Sequence, residues 1–370
     1  MSERRLIFFE VITMKFMHIA DVHLGVRPDR GKAWSEQRTR EIRGTFEKLL
    51  TIAEQESVEL LLIAGDLFHF PPTITMLKEL DERLDENKNM TTVLIAGAND
   101  YRMTGMPLDR YEFHSDTHCL GSGSDTSIYL KKQNVCVTGI SYDKPVITQP
   151  LYDELQPDSS HEDALQILLA YGGEAQSPID YPALRAAGFD YLALGQNHTP
   201  QVIEEHHVQY SGSPEPIGAN EIGSRGYILG EAEPTEDGWQ LHTEWRSLSC
   251  REYQTITLQV TSDMKNCELQ KQLQEEIDRR GIQHIYTVRL EGERNGLFRP
   301  DFAGLKKLYY IYDVMDSTEE AGDLRQLQAM HPDDLLGHYI QDFEGKDDSV
   351  QQRALRYGVT ALQRCREKRN

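Results

Sequence analysis

Four short clusters of carboxylate, imidazole and amide side chains each follow an apolar run. Asp21 and His23 stand two residues apart in His18-Ile19-Ala20-Asp21-Val22-His23-Leu24-Gly25. Where a strand gives way to a loop, this spacing lets a carboxylate and an imidazole reach one cation, and the pair suits Mn²⁺, Fe²⁺ or Zn²⁺. Asp66, in Gly65-Asp66-Leu67-Phe68-His69, is placed to bridge two ions. Asn99 and Asp100 follow in Gly97-Ala98-Asn99-Asp100-Tyr101, where the Asn carbonyl can serve as a ligand. Gln196 and His198 lie in Gly195-Gln196-Asn197-His198, upstream of Tyr210-Ser211-Gly212-Ser213-Pro214-Glu215-Pro216. Each cluster taken alone has a plainer reading, a turn aspartate or a surface histidine.

The elements that carry these clusters follow from hydrophobic pattern. Phe16-Met17-His18-Ile19-Ala20, Leu60-Leu61-Leu62-Ile63-Ala64 and Val93-Leu94-Ile95-Ala96 are short apolar runs ending at polar residues or glycine, as buried parallel strands do. Residues 35–56 (Ile42, Phe46, Leu49, Leu50, Ala53) and 73–87 (Ile74, Leu77, Leu80, Leu84) show helical spacing. The alternation predicts a parallel sheet with packed helices, whose ligands gather beyond the carboxyl ends of the strands. Asp21, Asp66 and Asn99 all fall at such ends. Val135–Gly139 and Phe189–Gly195 read as further strands, and residues 163–171 fit helix or strand equally. Residues 202–211, 226–232 and 238–247 suggest antiparallel strands of a second sheet. A boundary is expected near Leu248. Beyond it, Tyr253–Val260, 267–279 and Ile285–Leu290 form a strand-helix-strand module, and the acidic stretch 301–350 is expected to face solvent.

The composition is that of a water-exposed globular protein, with 39% hydrophobic and 27% charged residues among 370. No apolar run is long enough to span a bilayer, which argues against a membrane protein, and Glu10 interrupts the N-terminal Leu6-Ile7-Phe8-Phe9, which argues against a signal peptide. Residues 1–13 read as an upstream extension before Met14. Cys119, Cys136, Cys250, Cys267 and Cys365 are scattered without a CxxC pair, so neither a disulfide framework nor a thiolate zinc site is expected, and a reducing cytoplasm fits. The net charge of −21 repels nucleic acid overall, leaving DNA contact to a local basic patch or to bound cations. The last twenty residues supply such a patch: Arg353, Arg356, Arg364, Arg366, Lys368 and Arg369. Their plainer reading is a solvated helix end.

Taken in order, the clusters resemble the calcineurin-like metallophosphoesterase pattern D-x-H, G-D, G-N-H-[DE], a lone His and G-H-x-H. The context I-A-D-V-H-L-G, G-D-L-F, D-Y-L-A-L-G and Y-S-G-S-P-E-P looks most like the SbcD-type DNA-repair exonucleases. The resemblance covers residues 14–248. It implies a four-layer α/β/β/α sandwich of two mixed sheets, followed by a small α+β capping module (249–330) and a C-terminal segment (331–370). It implies a first cation, Mn²⁺ or else Fe²⁺ or Zn²⁺, held by Asp21, His23, Asp66 and His198. It also implies DNA as substrate, an SbcC-type coiled-coil ATPase contacted through the C-terminal segment, and a homodimer as an allowed assembly.

The same resemblance implies that the second cation site has degenerated. It would share Asp66, but the lone-His position falls at Tyr171 and the first His of G-H-x-H is Gln196. In one register Ala98 takes the Asn place and Asn99 the His place. In the other, Asn99 is the ligand and Asp100 replaces the His, so Asn99 or Asp100 stands where the catalytic histidine is missing. A protonated phenol and a neutral amide are weak ligands, so one tight ion is expected, the second weak or absent. His69 and His114 are near enough in sequence to compensate, although packed or exposed histidines are commoner. His206 and His207 sit in a polar hairpin. The readings are a hydrolase of DNA phosphodiesters with a weakened site, a silent DNA- or partner-binding subunit, and a small-substrate phosphoesterase, against which the capping module argues by analogy.

Overall fold

The computed structural model describes residues 13–121, 126–173, 176–295, 298–320, 324–344 and 349–367. Residues 1–12 of the expected upstream extension lie outside this set, as do Lys368 and Arg369. The strands and helices run in the order β1 (Met14–Ile19), α1 (Ser35–Gln55), β2 (Leu60–Ala64), α2 (Ile74–Asp85), β3 (Thr91–Ile95), α3 (Pro107–Arg110), β4 (Thr117–Cys119), β5 (Ser127–Leu130), β6 (Val135–Gly139), β7 (Leu165–Tyr171), α4 (Tyr181–Ala187), β8 (Tyr191–Gly195), β9 (Gln201–Glu204), β10 (Val208–Tyr210), β11 (Gly226–Thr235) and β12 (Gly238–Ser247). They continue with β13 (Tyr253–Val260), α5 (Asn266–Arg280), β14 (Ile285–Arg294), β15 (Ile311–Asp316), β16 (Glu319–Glu320), α6 (Leu324–Met330), α7 (Leu335–Asp342) and α8 (Ser349–Glu367). No helix of the described residues is long and apolar enough to cross a membrane. The chain divides into two compact units, residues 1–255 with 278–287 and 306–313, and residues 256–277 with 288–305 and 314–370.

Two six-stranded mixed sheets make the first unit, in the orders β12-β11-β1-β2-β3-β4 and β5-β6-β7-β8-β10-β9. Strand alternation sorts the apolar side chains into layers. Phe16 of β1, Leu62 and Ala64 of β2, Val93 and Ile95 of β3, Leu169 and Tyr171 of β7, and Tyr191 and Ala193 of β8 share one core between the sheets. The opposite set, Met17, Ile19, Leu61, Ile63 and Leu94, packs against Phe46 and Leu49 of α1 and Leu77 and Leu80 of α2. Leu168, Leu192 and Leu194 turn outward to Leu184 of α4. Helix, sheet, sheet and helix thus form the four layers expected. The central strands read as continuous apolar runs because both of their faces are covered.

Two expectations need correction. The hairpin 226–247 does not belong to a second sheet: β11 pairs antiparallel with β1, from Met14↔Ala232 to His18↔Ile228, and extends the first sheet. The second sheet is built from β5 to β10, and the ambiguous stretch 163–171 is its strand β7. Segment 301–350 is not wholly solvent-facing, since Leu336 and Ile340 of α7 are buried with Leu355 and Val359 of α8. Helix α8 carries Arg353, Arg356, Arg364 and Arg366.

A charged side chain lies on the buried face of α1, where pattern reading finds only apolar positions. Arg38 is fully buried; its Nη2 donates to Glu215 Oε2 at 3.0 Å and to Pro216 O at 2.9 Å, and its Nη1 donates to Glu41 at 2.7 Å. Thr45 Oγ1 donates to Glu215 Oε1 at 2.8 Å, and Cys250 N donates to the same oxygen. The Y-S-G-S-P-E-P turn is therefore held to α1 by a buried ion pair. Breaking such a pair leaves an uncompensated charge, so Glu215→Ala is expected to cost about 3–5 kcal/mol of stability. An earlier urea midpoint relative to the parent would register it; an unchanged midpoint would contradict the role.

Candidate metal centre

The loops after β1, β2, β3 and β8 meet at the carboxyl ends of their strands. Backbone hydrogen bonds join the first two: Asp21 N donates to Gly65 O at 3.1 Å, His23 N to Asp66 O at 3.0 Å and Leu24 N to Leu67 O at 2.8 Å. Asp21 (φ 52°), His23 (φ 52°), Asp66 (φ 49°) and Gln196 (φ 96°) all adopt the left-handed backbone region, unfavourable for residues with a side chain. The second sheet comes close at Gly195, where a Cβ would stand 1.8 Å from Ala64 O, so glycine alone permits that approach.

These turns bring Asp21, His23 and His198 together, with Asp66 beside His23. His23 Nε2 lies 3.1 Å from His198 Nε2 and 3.8 Å from Asp66 Oδ2, and His198 Nε2 lies 3.7 Å from Asp21 Oδ1. One ligand atom each of Asp21, His23 and His198 falls within 4.8 Å of the others. Tetrahedral ligands at first-row metal distances stand about 3.3–3.6 Å apart, close to these separations. Asp21 Oδ1 is buried without a hydrogen-bond partner, which a cation would supply. Burial, followed by the neighbouring His198 and His69, holds the His23 imidazole well below its ordinary pKa, so it is neutral and has a lone pair to offer. Burial raises the carboxyls of Asp21 and Asp66 above the usual range, the signature of acids short of positive charge. Burial alone would depress His198, but its hydrogen bond to Glu221 and the charges of Asp21, Glu221 and Asp66 outweigh it and hold it at about 9. The donor set of two imidazoles and two carboxylates fits a divalent cation of the Mn²⁺, Fe²⁺ or Zn²⁺ kind.

The other side of Asp66 is different. Tyr171, on the inter-sheet face of β7, donates its hydroxyl to Asp66 Oδ2 at 2.8 Å, and Asn99 Nδ2 donates to the same oxygen. Asn99 N donates to Oδ1 at 2.8 Å. Burial, then the charges of Asp21 and Asp66, keeps the Tyr171 phenol well above its ordinary pKa and so protonated. Gln196 N donates to Asp21 Oδ2 at 2.9 Å, while its side chain reaches toward Gln176 at 3.5 Å. Asp100 is buried and accepts from Gly97 N at 2.7 Å and Phe68 N at 3.1 Å, tying the β3 loop to the β2 loop.

Sequence reading missed one partner and underrated another. Glu221 accepts from His198 Nδ1 at 2.7 Å, and no pattern around it signals this. His69 Nδ1 lies 3.3 Å from His23 Nδ1. Both inward-facing imidazoles are therefore held from behind at Nδ1, which leaves Nε2 turned to the centre. His114 is elsewhere, on Asp81 at 3.2 Å with its side chain 88% exposed. His206 sits on Thr243 at 3.1 Å.

The chain is 28% identical over 233 residues to the DNA double-strand break repair protein Mre11 of Methanopyrus kandleri, covering 55% of this chain and 49% of that one. It is 24% identical over 358 residues to the protein of the same name from Halobacterium salinarum, covering 89% and 85%. It is 23% identical over 273 residues to the SbcD component of the SbcCD nuclease of Bacillus subtilis, covering 61% and 68%. The chain spans about half the length of several of the curated relatives it matches. Residues 14–225, more than half of the chain and including Asp21, His23, Asp66 and His198, match the calcineurin-like phosphoesterase family, and the chain belongs to it.

Proposed function

We propose that this chain hydrolyses DNA phosphodiester bonds with one firmly held divalent cation, its ligands Asp21, His23, Asp66 and His198. The observation that carries the reading is the set of donors already engaged by Asp66. Its Oδ2, 3.8 Å from His23 Nε2, accepts from Tyr171 and from Asn99 Nδ2, and its Oδ1 accepts from Asn99 N. A lone pair engaged by a protonated phenol is not available to a second cation, and the phenol stays protonated across the neutral range. The contact of Asn99 with Asp66 favours the register in which Asn99 takes the ligand place. Asp100, its carboxylate taken up by two backbone N–H groups, then positions the loop rather than moving a proton.

A bound cation of this class supplies a Lewis acid for the phosphoryl oxygen and a water of lowered pKa. The protein's own groups do the rest. Glu221 and His69 fix the two imidazoles so that neither turns away, and the buried carboxylates orient the centre without water competing for them. DNA as substrate rests on the relatives. An overall charge of −21 leaves phosphate recognition to the centre itself and to basic residues such as those of α8. The missing family histidines favour a second reading, a silent DNA- or partner-binding subunit of an SbcC-type ATPase.

Three measurements separate these readings. Asp66→Asn is expected to reduce Mn²⁺-dependent cleavage of single- and double-stranded DNA to background; no cleavage by the parent chain would favour the silent subunit. Tyr171→His combined with Gln196→His is expected to raise bound Mn²⁺ from one equivalent to two and to speed cleavage roughly a hundredfold, the lower end of what a group stabilising transition-state charge contributes. A stoichiometry unchanged in the double variant would mean that Tyr171 and Gln196 are not what limits the second site. Glu221→Gln is expected to weaken the first equivalent about 10–100-fold, as loss of an orienting partner does, read by equilibrium dialysis against Mn²⁺.

A further inference from the structure

Away from the catalytic cluster, a second group of donor atoms converges on the second sheet. Cys136 is buried on β6, and its Sγ lies 3.8 Å from Asp158 Oδ2. The same carboxylate oxygen lies 3.0 Å from His161 Nδ1. One ligand atom from each of the three residues falls within 4.8 Å of the others. These spacings bracket the roughly 3.3–3.7 Å edge expected of sulfur, oxygen and nitrogen ligands around a tetrahedral ion. One oxygen faces both a thiol and an imidazole, so an ion that displaces their protons needs no large movement of the chain.

The supports are in place as well. Gln166 of β7 holds the loop from both ends, accepting from Asp158 N at 3.1 Å through Oε1 and donating from Nε2 to His161 O at 2.9 Å. Ser160 N donates to Asp158 Oδ1 at 2.8 Å, which leaves Oδ2 turned to the thiol and the imidazole. The His161 ring stacks on Tyr129, centroids 3.6 Å apart and planes 17° from parallel. A loop braced at both ends, with one ring stacked and one carboxylate oxygen oriented, loses little freedom when an ion binds.

We propose that Cys136, Asp158 and His161 form a zinc-class site, distinct from the catalytic centre, that clamps the 158–161 loop onto β6. A thiolate ligand selects a borderline-soft ion such as Zn²⁺ over Mn²⁺. Binding releases the thiol proton to solvent and so strengthens as pH rises. Three protein ligands, two of them on a partly exposed loop, leave a fourth position to water. Cys136 and Asp158-x-x-His161 are brought together by the β6–β7 pairing, which the cysteine spacing does not reveal.

Cobalt substitution tests this, because the catalytic cluster contains no sulfur. The full chain loaded with Co²⁺ is expected to show a thiolate-to-cobalt charge-transfer band in the near ultraviolet. The band should persist in Asp66→Asn and vanish in Cys136→Ser, which should also bind one equivalent of Zn²⁺ fewer by elemental analysis. His161→Gln, a change in a half-exposed loop, should weaken Zn²⁺ at least tenfold in a chelator competition and serves if Cys136→Ser misfolds. No charge-transfer band in the parent, a band undiminished in Cys136→Ser, or unaltered Zn²⁺ affinity in His161→Gln would overturn the proposal.

Discussion

Asp21 and Asp66 place two carboxylates, both inaccessible to solvent, at the seam where the two sheets meet. Charge in such a place is costly unless an opposite charge and a full set of hydrogen bonds surround it, and the surrounding structure answers that demand. The β1 and β2 loops are joined backbone to backbone, the β8 turn delivers Gln196 N to Asp21, and two imidazoles face inward. The left-handed backbone at Asp21, His23, Asp66 and Gln196 is the strain accepted to aim these groups, and the packing of two sheets holds it in place.

The two buried carboxylates have their charge met in different ways. Asp21 keeps one oxygen without a hydrogen-bond partner in a cluster with the neutral His23 imidazole, which calls for a cation. At Asp66, Tyr171 and Asn99 supply hydrogen bonds to the carboxylate instead. Hydrogen-bond donors and a metal ion are alternative means of stabilising the same negative charge. A phenol at position 171 is long enough to cross from the second sheet to Asp66.

Supports at longer range follow the same logic. Glu215 is buried against Arg38, and its turn lies a few residues ahead of Glu221, the partner of His198. The Y-S-G-S-P-E-P segment, which carries no group facing the centre, is in this way tied to both α1 and the cluster. Its one charged residue, Glu215, is satisfied by Arg38, Thr45 and Cys250 N, which is why a glutamate is tolerated in so apolar a setting.

Much of this architecture was legible in the linear pattern. Continuous apolar runs ending at Asp21, Asp66 and Gly97 identified strands covered on both faces, and helical spacing located α1 and α2, because local burial imprints its period on the chain. Asp21, His23 and His198, which the fold brings together, could be singled out from ordered motifs. Which sheet the 226–247 hairpin joins could not, because its pairing with β1 spans more than two hundred residues and alternation alone does not choose a partner. Nor could the roles of Glu221, His69, Glu215 and Arg38, whose meaning lies in contacts made across the fold. Cysteine spacing gave no sign that Cys136 would meet Asp158 and His161, which the juxtaposition of β6 with the 158–161 loop brings together. Periodicity records what each segment buries. Which polar groups then meet depends on how the buried faces stack, and that information resides in no single stretch of sequence.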